Sequence, residues 1–222
     1  PELVGTLLEF RNRGLVRLQF DEVHQWSRER GEMLQAITGI PHYYRQFGYE
    51  MAIQLDGQRY GHEAHVPKLK DGEQERYRVR MAQEADLSFI ARTDEEVRKR
   101  NLIYCERTLD LFRHELNRQY VENAFIAIRI IEDQAGEPVG WLRHQTFVNN
   151  GNFTAYYFEL KPSASWLDVT PAVVRYLWQT GQGYAKRDGK VCTSFGFSLG
   201  EQHPAYAAIK NRLPENPGSY AW

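Results

Sequence analysis

Glu9-Phe10-Arg11-Asn12-Arg13-Gly14-Leu15-Val16-Arg17 is the stretch on which the reading of this 222-residue chain turns. It follows a short β-like run, Leu3-Val4-Gly5-Thr6-Leu7-Leu8. It opens a helical pattern in which Val16, Phe20 and Val23 fall at i, i+4 and i+7 on one face. A strand, a basic turn with one glycine, then a helix is the layout of a backbone anion cradle. The first amides of a helix have no partner inside the helix and point outward. The helix dipole adds partial positive charge at the same end. A pyrophosphate placed there is held by those amides together with Arg11, Arg13 and Arg17. Nine residues alone do not decide this, because a basic helix start is also a common solvated turn.

The length suits one large domain or two small ones. The net charge of -1 implies no broad basic surface and argues against nucleic acid as a partner. No apolar run approaches the roughly 20 residues of a membrane helix, and no signal peptide is read, so a cytoplasmic protein with no membrane partner is expected. Cys105 sits in a helical pattern and Cys192 in a strand pattern. Both read as buried free thiols of a reducing compartment.

Taken in order, residues 1–10 read as a strand that must pair with others, and residues 14–30 as a helix stopped by Gly31. Residues 33–38 read as a second, buried strand, giving a parallel pair with a right-handed crossover. Pro41 is placed at the first position of a short helix, 42–47, closed by Gly48. Residues 49–55 and 60–66 read as a hairpin across Asp56-Gly57. The polar stretch 67–75 reads as a linker. Beyond it come a strand at 77–81, a short helix at 85–91, and a longer helix from a Thr93/Glu96 capping box to about 117, with the face Leu102, Leu109, Phe112, Leu116. Strands follow at 124–132, 138–147 and 153–160. A helix starts at Thr170-Pro171, a strand runs over 191–197, a short helix over 203–210, and the tail ends on the start of another strand.

Two segments carry a family resemblance. Arg11-Asn12-Arg13-Gly14-Leu15-Val16 resembles the acyl-CoA loop Gln/Arg-x-x-Gly-x-Gly/Ala of GNAT (GCN5-related) N-acetyltransferases, with Val16 departing at the second small position. Tyr43-Tyr44-Arg45-Gln46-Phe47-Gly48-Tyr49 resembles that family's aromatic-Tyr-x-x-x-Gly-aromatic segment. Gly39-Ile40-Pro41 before it looks like the tandem, Eis-like branch. Arg80-x-Ala82, then Asp86-Leu87 and Ile90, is similar to the opening strand and helix of a second GNAT unit. The resemblance implies an α/β fold with a mixed sheet, a tandem GNAT-like acyl-CoA N-acyltransferase. Residues 1–75 are its incomplete first unit, whose early elements precede Pro1. Residues 76–222 are a second unit in which Lys161-Pro162-Ser163-Ala164-Ser165-Trp166-Leu167-Asp168 replaces the cradle. That copy lacks Arg-x-x-Gly, carries bulky Trp166 and anionic Asp168, and reads as non-binding.

The implied reaction moves an acetyl group from acetyl-CoA to an amine, on a small molecule or peptide. The amine attacks in its neutral form, an oxyanion needs a donor, and the departing thiolate needs a proton. By resemblance the amides of Gly5, Thr6 and Leu7 hold the pantetheine arm. The amides of Arg13, Gly14, Leu15, Val16 and Arg17 hold the pyrophosphate with the Arg11, Arg13 and Arg17 side chains, and Tyr44 is the general acid. The thioester is expected between splayed strands near 5–7 and 37–38. No general base stands out: Glu9 and Glu50 read as solvated carboxylates. The Eis-like branch uses its terminal carboxylate, a role put in doubt here by the further domain this chain lacks before Trp222. His62 and His65 have no metal-ligand spacing, and Ser194 and Ser198 lack a nucleophile elbow. No metal is expected. The alternatives are a non-catalytic GNAT-like interaction module and a transferase for a longer acyl-CoA. An uncovered sheet edge makes a homo-oligomer a further expectation.

Overall fold

The computed structural model describes residues 3–40, 42–54, 57–119, 124–209, 212–216 and 220–221. The chain divides into two compact units, 1–56 with 218–222, and 57–217. The segment 67–75, expected to separate domains, lies inside the larger unit, where Glu75 takes both ends of the Arg175 guanidinium at 2.6 and 2.8 Å.

The smaller unit is built on helix α1, Leu15–Glu29. Its apolar stripe behaves as the spacing requires: Phe20 is buried, and Val16 packs against the same cluster. Gly31, left-handed at φ 70°, follows its end. A five-residue 3-10 helix, Tyr43–Phe47, closes at Gly48. Phe20, Ile37, Tyr44 and Tyr49 form the core, with Phe47 stacked on Phe20 at 4.3 Å between ring centres.

The two strands expected here are corrected. Residues 3–7 are not in a strand, and Leu8–Phe10 is a single 3-10 turn. Leu3 is fully exposed. Residues 32–37 are likewise unpaired, with one bridge at Thr38, so no parallel pair with a crossover forms among the described residues. A strand needs a neighbour for its amides and carbonyls, and the described residues give 3–7 and 32–37 no ladder. Pro41 lies outside the described residues.

The expected hairpin is also corrected. Strand β1, Ile53–Gln54, pairs with the chain's last strand, whereas β2, Gln58–Gly61, enters the larger unit. Leu55 and Asp56, at the expected turn, lie outside the described residues.

The larger unit continues with β3 (Arg78–Met81), helices α2 (Leu87–Arg100) and α3 (Leu109–Arg118), and strands β4 (Ile126–Glu132), β5 (Pro138–Gln145) and β6 (Asn152–Leu160). Helix α4 (Trp166–Arg187), β7 (Ser194–Ser198), α5 (Pro204–Ile209), β8 (Glu215–Asn216) and β9 (Tyr220–Ala221) complete the order, the last strand lying in the smaller unit. Seven strands form one mixed sheet in the order β3-β4-β5-β6-β7-β2-β8. Its pairs are antiparallel except β6 with β7, joined by the α4 crossover. Alternation along β4 assigns the faces: Ile128 and Ile130 pack with Phe112, Leu116 and Trp141, while Ile131 packs with Val173, Leu177 and Phe153.

Helix boundaries differ at the expected Thr93 cap. Thr93 lies in mid-helix, buried, its hydroxyl donating to the Phe89 carbonyl at 2.9 Å. The real cap is Thr108, which accepts from the Leu111 amide at 3.2 Å. Residues 101–108 are therefore a break, with Leu102 and Cys105 exposed rather than on a helix. Helix α4 begins at Trp166, capped by Ser165, and Pro171 sits within it. Among the described residues no helix is long and apolar enough to cross a membrane.

Candidate active site

A cavity of about 540 Å³ lies wholly within the smaller unit, against the start of α1 and the Tyr43–Phe47 turn. Asn12 and Gly14 are both left-handed, at φ 62° and 73°, which turns the chain sharply into the helix. Glycine takes this conformation without strain. Gly14 is also the N-cap, and as a glycine it offers no side-chain oxygen to the amides behind it. The first helical bond runs from the Leu18 amide to the Gly14 carbonyl at 3.1 Å. The amides of Leu15, Val16 and Arg17 precede that bond and have no acceptor within the helix.

Three guanidiniums surround this tip. Arg11 Nε donates to the Thr6 carbonyl at 3.5 Å, folding the preceding loop back over the cavity. Arg13 lies over the Phe10 ring at 5.1 Å. Arg17 donates to the Gln46 carbonyl at 3.4 Å and to Gln46 Oε1 at 3.2 Å, with its guanidinium 5.3 Å from the Phe47 ring centre. None of the three forms an ion pair with a carboxylate among the described residues, so the cavity carries uncompensated positive charge. Arg45, by contrast, is paired with Glu50 at 3.1 Å.

Tyr44 lines the same cavity, with only 6% of its surface exposed. Tyr43 meets it edge to face at 5.1 Å, and Phe20 and Tyr49 pack on it at 5.9 and 6.3 Å. Gly39 approaches it so closely that a Cβ there would stand 2.7 Å from Tyr44 Cε2 and 3.1 Å from its hydroxyl oxygen. The structure thus brings Gly5, Thr6, Arg11, Arg13, Gly14, Leu15, Val16, Arg17 and Tyr44 to one cavity, whereas Leu7 does not line it and is 68% exposed. The splayed strand pair expected around them is absent among the described residues. Gln46 and Phe47, which fix Arg17, were not singled out in the sequence. Their only signal is position in the Tyr43–Gly48 segment.

In the larger unit the entry into a helix has a different outcome. β6 pairs with β7 only through Ala155 and Phe197, and beyond that point the parallel strands part. The gap is filled. Trp166 meets Phe158 at 5.0 Å and His203 at 5.1 Å, and His203 Nε2 lies 3.3 Å from Glu159, itself held by Arg100 at 2.6 Å.

No protein-family model matches the sequence, and no curated protein matches it. Solved structures do match. A GCN5-related N-acetyltransferase from Kribbella flavida superposes with a TM-score of 0.61 at 16% identity, over 99% of this chain and 51% of that one. A conserved Enterococcus faecalis protein described as a probable N-acyltransferase gives 0.63 at 15% identity, over 98% and 51%. Saccharomyces cerevisiae N-myristoyltransferase, solved with myristoyl-CoA bound, gives 0.55 at 13% identity, over 99% and 57%. The chain spans about half the length of these proteins. At such identities the likeness is one of fold, and it meets the expectation from the sequence: the chain has the mixed α/β fold of the GCN5-related N-acetyltransferases.

Proposed function

We propose that this chain belongs to an acyl-CoA-dependent N-acyltransferase of the tandem, Eis-like kind that moves an acetyl group from acetyl-CoA to an amine. The first GNAT-like unit carries the cofactor site, and the second carries a closed copy. The observation that carries this reading is the coincidence, in one cavity, of uncapped helix amides, three unneutralised arginines and a packed tyrosine. The bound thioester in the yeast structure supports a CoA carrier. The amides of Leu15, Val16 and Arg17 with Arg11, Arg13 and Arg17 hold the pyrophosphate, and Gly5 and Thr6 flank the pantetheine.

The neutral amine attacks the thioester carbonyl, and the C–S bond breaks as the tetrahedral oxyanion collapses. The Tyr44 hydroxyl donates a proton to the departing sulfur. Glu50 is committed to Arg45, and Glu9 is exposed, so the amine proton leaves to water. The test is calorimetric titration with CoA, then acetyl-CoA turnover against a panel of amines, followed by release of free thiol. The expected outcome is one CoA per chain and turnover that Tyr44→Phe lowers by about 100-fold or more.

The unpaired segments 3–7 and 32–37 favour a second reading, a non-catalytic CoA-binding module. CoA binding without thiol release on any amine selects it. Absence of CoA binding overturns both.

A further inference from the structure

The larger unit contains eight half-buried arginines among its described residues. Seven of them, Arg59, Arg80, Arg98, Arg107, Arg113, Arg143 and Arg175, have a carboxylate at 3.8 Å or closer. That is what burial demands, since a guanidinium withdrawn from water needs a counter-charge or a full set of acceptors. Arg129 is the eighth: among the described residues no carboxylate pairs with it, and none of its nitrogens is both buried and unpartnered, so its remaining donors open to solvent.

The groups it donates to are all neutral. Arg129 Nε donates to the Tyr176 hydroxyl at 3.1 Å. Tyr176 sits 2.8 Å from His144 Nε2, and His144 Nδ1 sits 2.6 Å from the Gln145 carbonyl. A carbonyl only accepts, so His144 carries its proton on Nδ1 and takes the Tyr176 proton at Nε2. Arg129 Nη1 donates to the Ile128 carbonyl at 3.0 Å and to Gln119 Oε1 at 3.4 Å. Gln119 is itself fixed, receiving the Ile128 amide and donating to the Ala82 carbonyl, both at 3.2 Å. Every group in this chain is oriented, and the orientation spends Nε and Nη1. Nη2 has no protein partner among the described residues.

Arg129 lines a cavity of about 330 Å³ inside this unit, near the lower end of the ~300–1,000 Å³ typical of small-molecule sites. Arg187 lies on its wall, stacked on the Tyr184 ring at 4.5 Å. Its charge is already met by Asp188, at 2.6 and 2.9 Å. The cavity therefore has one unmatched positive charge, not two. Met81, Ala127 and the Tyr184 ring give it an apolar side. A single guanidinium without a carboxylate partner, in a mainly polar lining with a smaller apolar part, matches a small organic monoanion better than a phosphate dianion.

We propose that this cavity binds a small organic monocarboxylate, its carboxylate on Arg129 and its apolar part against Met81, Ala127 and Tyr184. The site lies in the larger unit and does not depend on the CoA reading. The probe is sodium benzoate, titrated into the full chain and followed by amide NMR, with inorganic phosphate as the comparison anion. Saturable shifts at 127–129, 146 and 184–187 are expected with benzoate. They should weaken about tenfold or more in Arg129→Gln, as expected for one lost hydrogen bond to a charged group, and by less than about threefold in Arg187→Gln, whose charge Asp188 already meets. Ala127→Leu fills the cavity without changing charge and should abolish the shifts, so it serves if Arg129→Gln does not fold. Absence of saturable benzoate shifts, unchanged affinity in a folded Arg129→Gln or in Ala127→Leu, or tighter binding of phosphate than of benzoate would each overturn the assignment.

Discussion

Gly39→Ala tests what the placement of Tyr44 contributes, on top of the backbone strain a Cβ meets at φ 158°. The added methyl would stand 2.7 Å from Tyr44 Cε2, 3.1 Å from the hydroxyl oxygen and 3.3 Å from Cζ. An ordinary carbon–carbon contact begins at about 3.5 Å, so ring and methyl must separate by about 0.8 Å. The ring has little room to retreat, because Tyr43, Phe20 and Tyr49 pack around it. Overpacking of this kind costs about 1–3 kcal/mol of stability. On the proposed mechanism its effect on rate is larger, since a displacement of about 1 Å at a proton donor costs on the order of 100-fold. The cradle amides and arginines are untouched. Steady-state kinetics should therefore show kcat falling by about 10- to 100-fold, with CoA affinity by calorimetry within about threefold. Combined with Tyr44→Phe, Gly39→Ala should add almost nothing, because both remove the same donor. Full turnover in Gly39→Ala, or losses that multiply in the double variant, would refute the role given to Tyr44.

Arg17→Ala should weaken CoA binding by about 10- to 100-fold, as the loss of one pre-positioned charge-assisted hydrogen bond, and Arg13→Ala by less; Arg45→Ala, already neutralised by Glu50, should bind within about twofold of the parent by the same titration. Asp86 accepts both ends of Arg80 at 2.7 and 2.8 Å and the Gln83 amide at 2.8 Å. Burial pushes its carboxyl up, but those bonds and the Arg80 charge together bring it below the ordinary range. Its stabilisation is thus present above the unfolded value of about 3.9 and is lost as pH falls through the lower folded value. Asp86→Asn should cost about 3–5 kcal/mol at pH 7 in urea unfolding and flatten that acid limb; a variant as stable as the parent at pH 7 would count against this. Thr108→Ala should cost about 1 kcal/mol by the same assay, since it removes the cap of α3.

How much was legible follows from where each element gets its partners. The strands β4, β5 and β6 are visible because each is a run rich in apolar and aromatic residues, buried on both faces of the sheet, as with Ile128 and Ile130 on one side and Ile131 on the other. β2 was placed in the wrong pair because four residues gave no sign of a neighbour far along the chain: Arg59 pairs with Phe197 and Tyr60 with Gly196. A local turn signal at Asp56-Gly57 stood in for that missing information. Thr93 looked like a cap by spacing to Glu96, yet Leu87, Ile90, Thr93 and Asp94 make one buried stripe that runs through it. Periodicity was the better guide there. The residues expected for the cradle and Tyr44 line one cavity because they lie within forty residues of one another, so the chain gathers them locally. Arg129 escaped notice because what singles it out is the absence of a carboxylate, and its nearest anchor, Tyr176, is 47 positions away.

The two units reach a helix from the preceding segment in ways that select opposite occupants. At α1 the cap is a glycine in the left-handed conformation, so the leading amides face the cavity with nothing of the protein's own to satisfy them. At α4 the cap is Ser165, whose hydroxyl accepts from the Asp168 amide at 3.3 Å. Asp168 adds a carboxylate in the first turn, where the helix dipole already favours one. An anion arriving at α4 would have to displace the cap, approach the Asp168 carboxylate and move Trp166 off His203. At α1 it meets free donors and unpaired guanidiniums. The asymmetry is set by a few side chains at two helix starts, Gly14 with its flanking arginines against Ser165, Trp166 and Asp168. That is why we propose the smaller unit, with its thinner core, as the one that holds the acyl carrier.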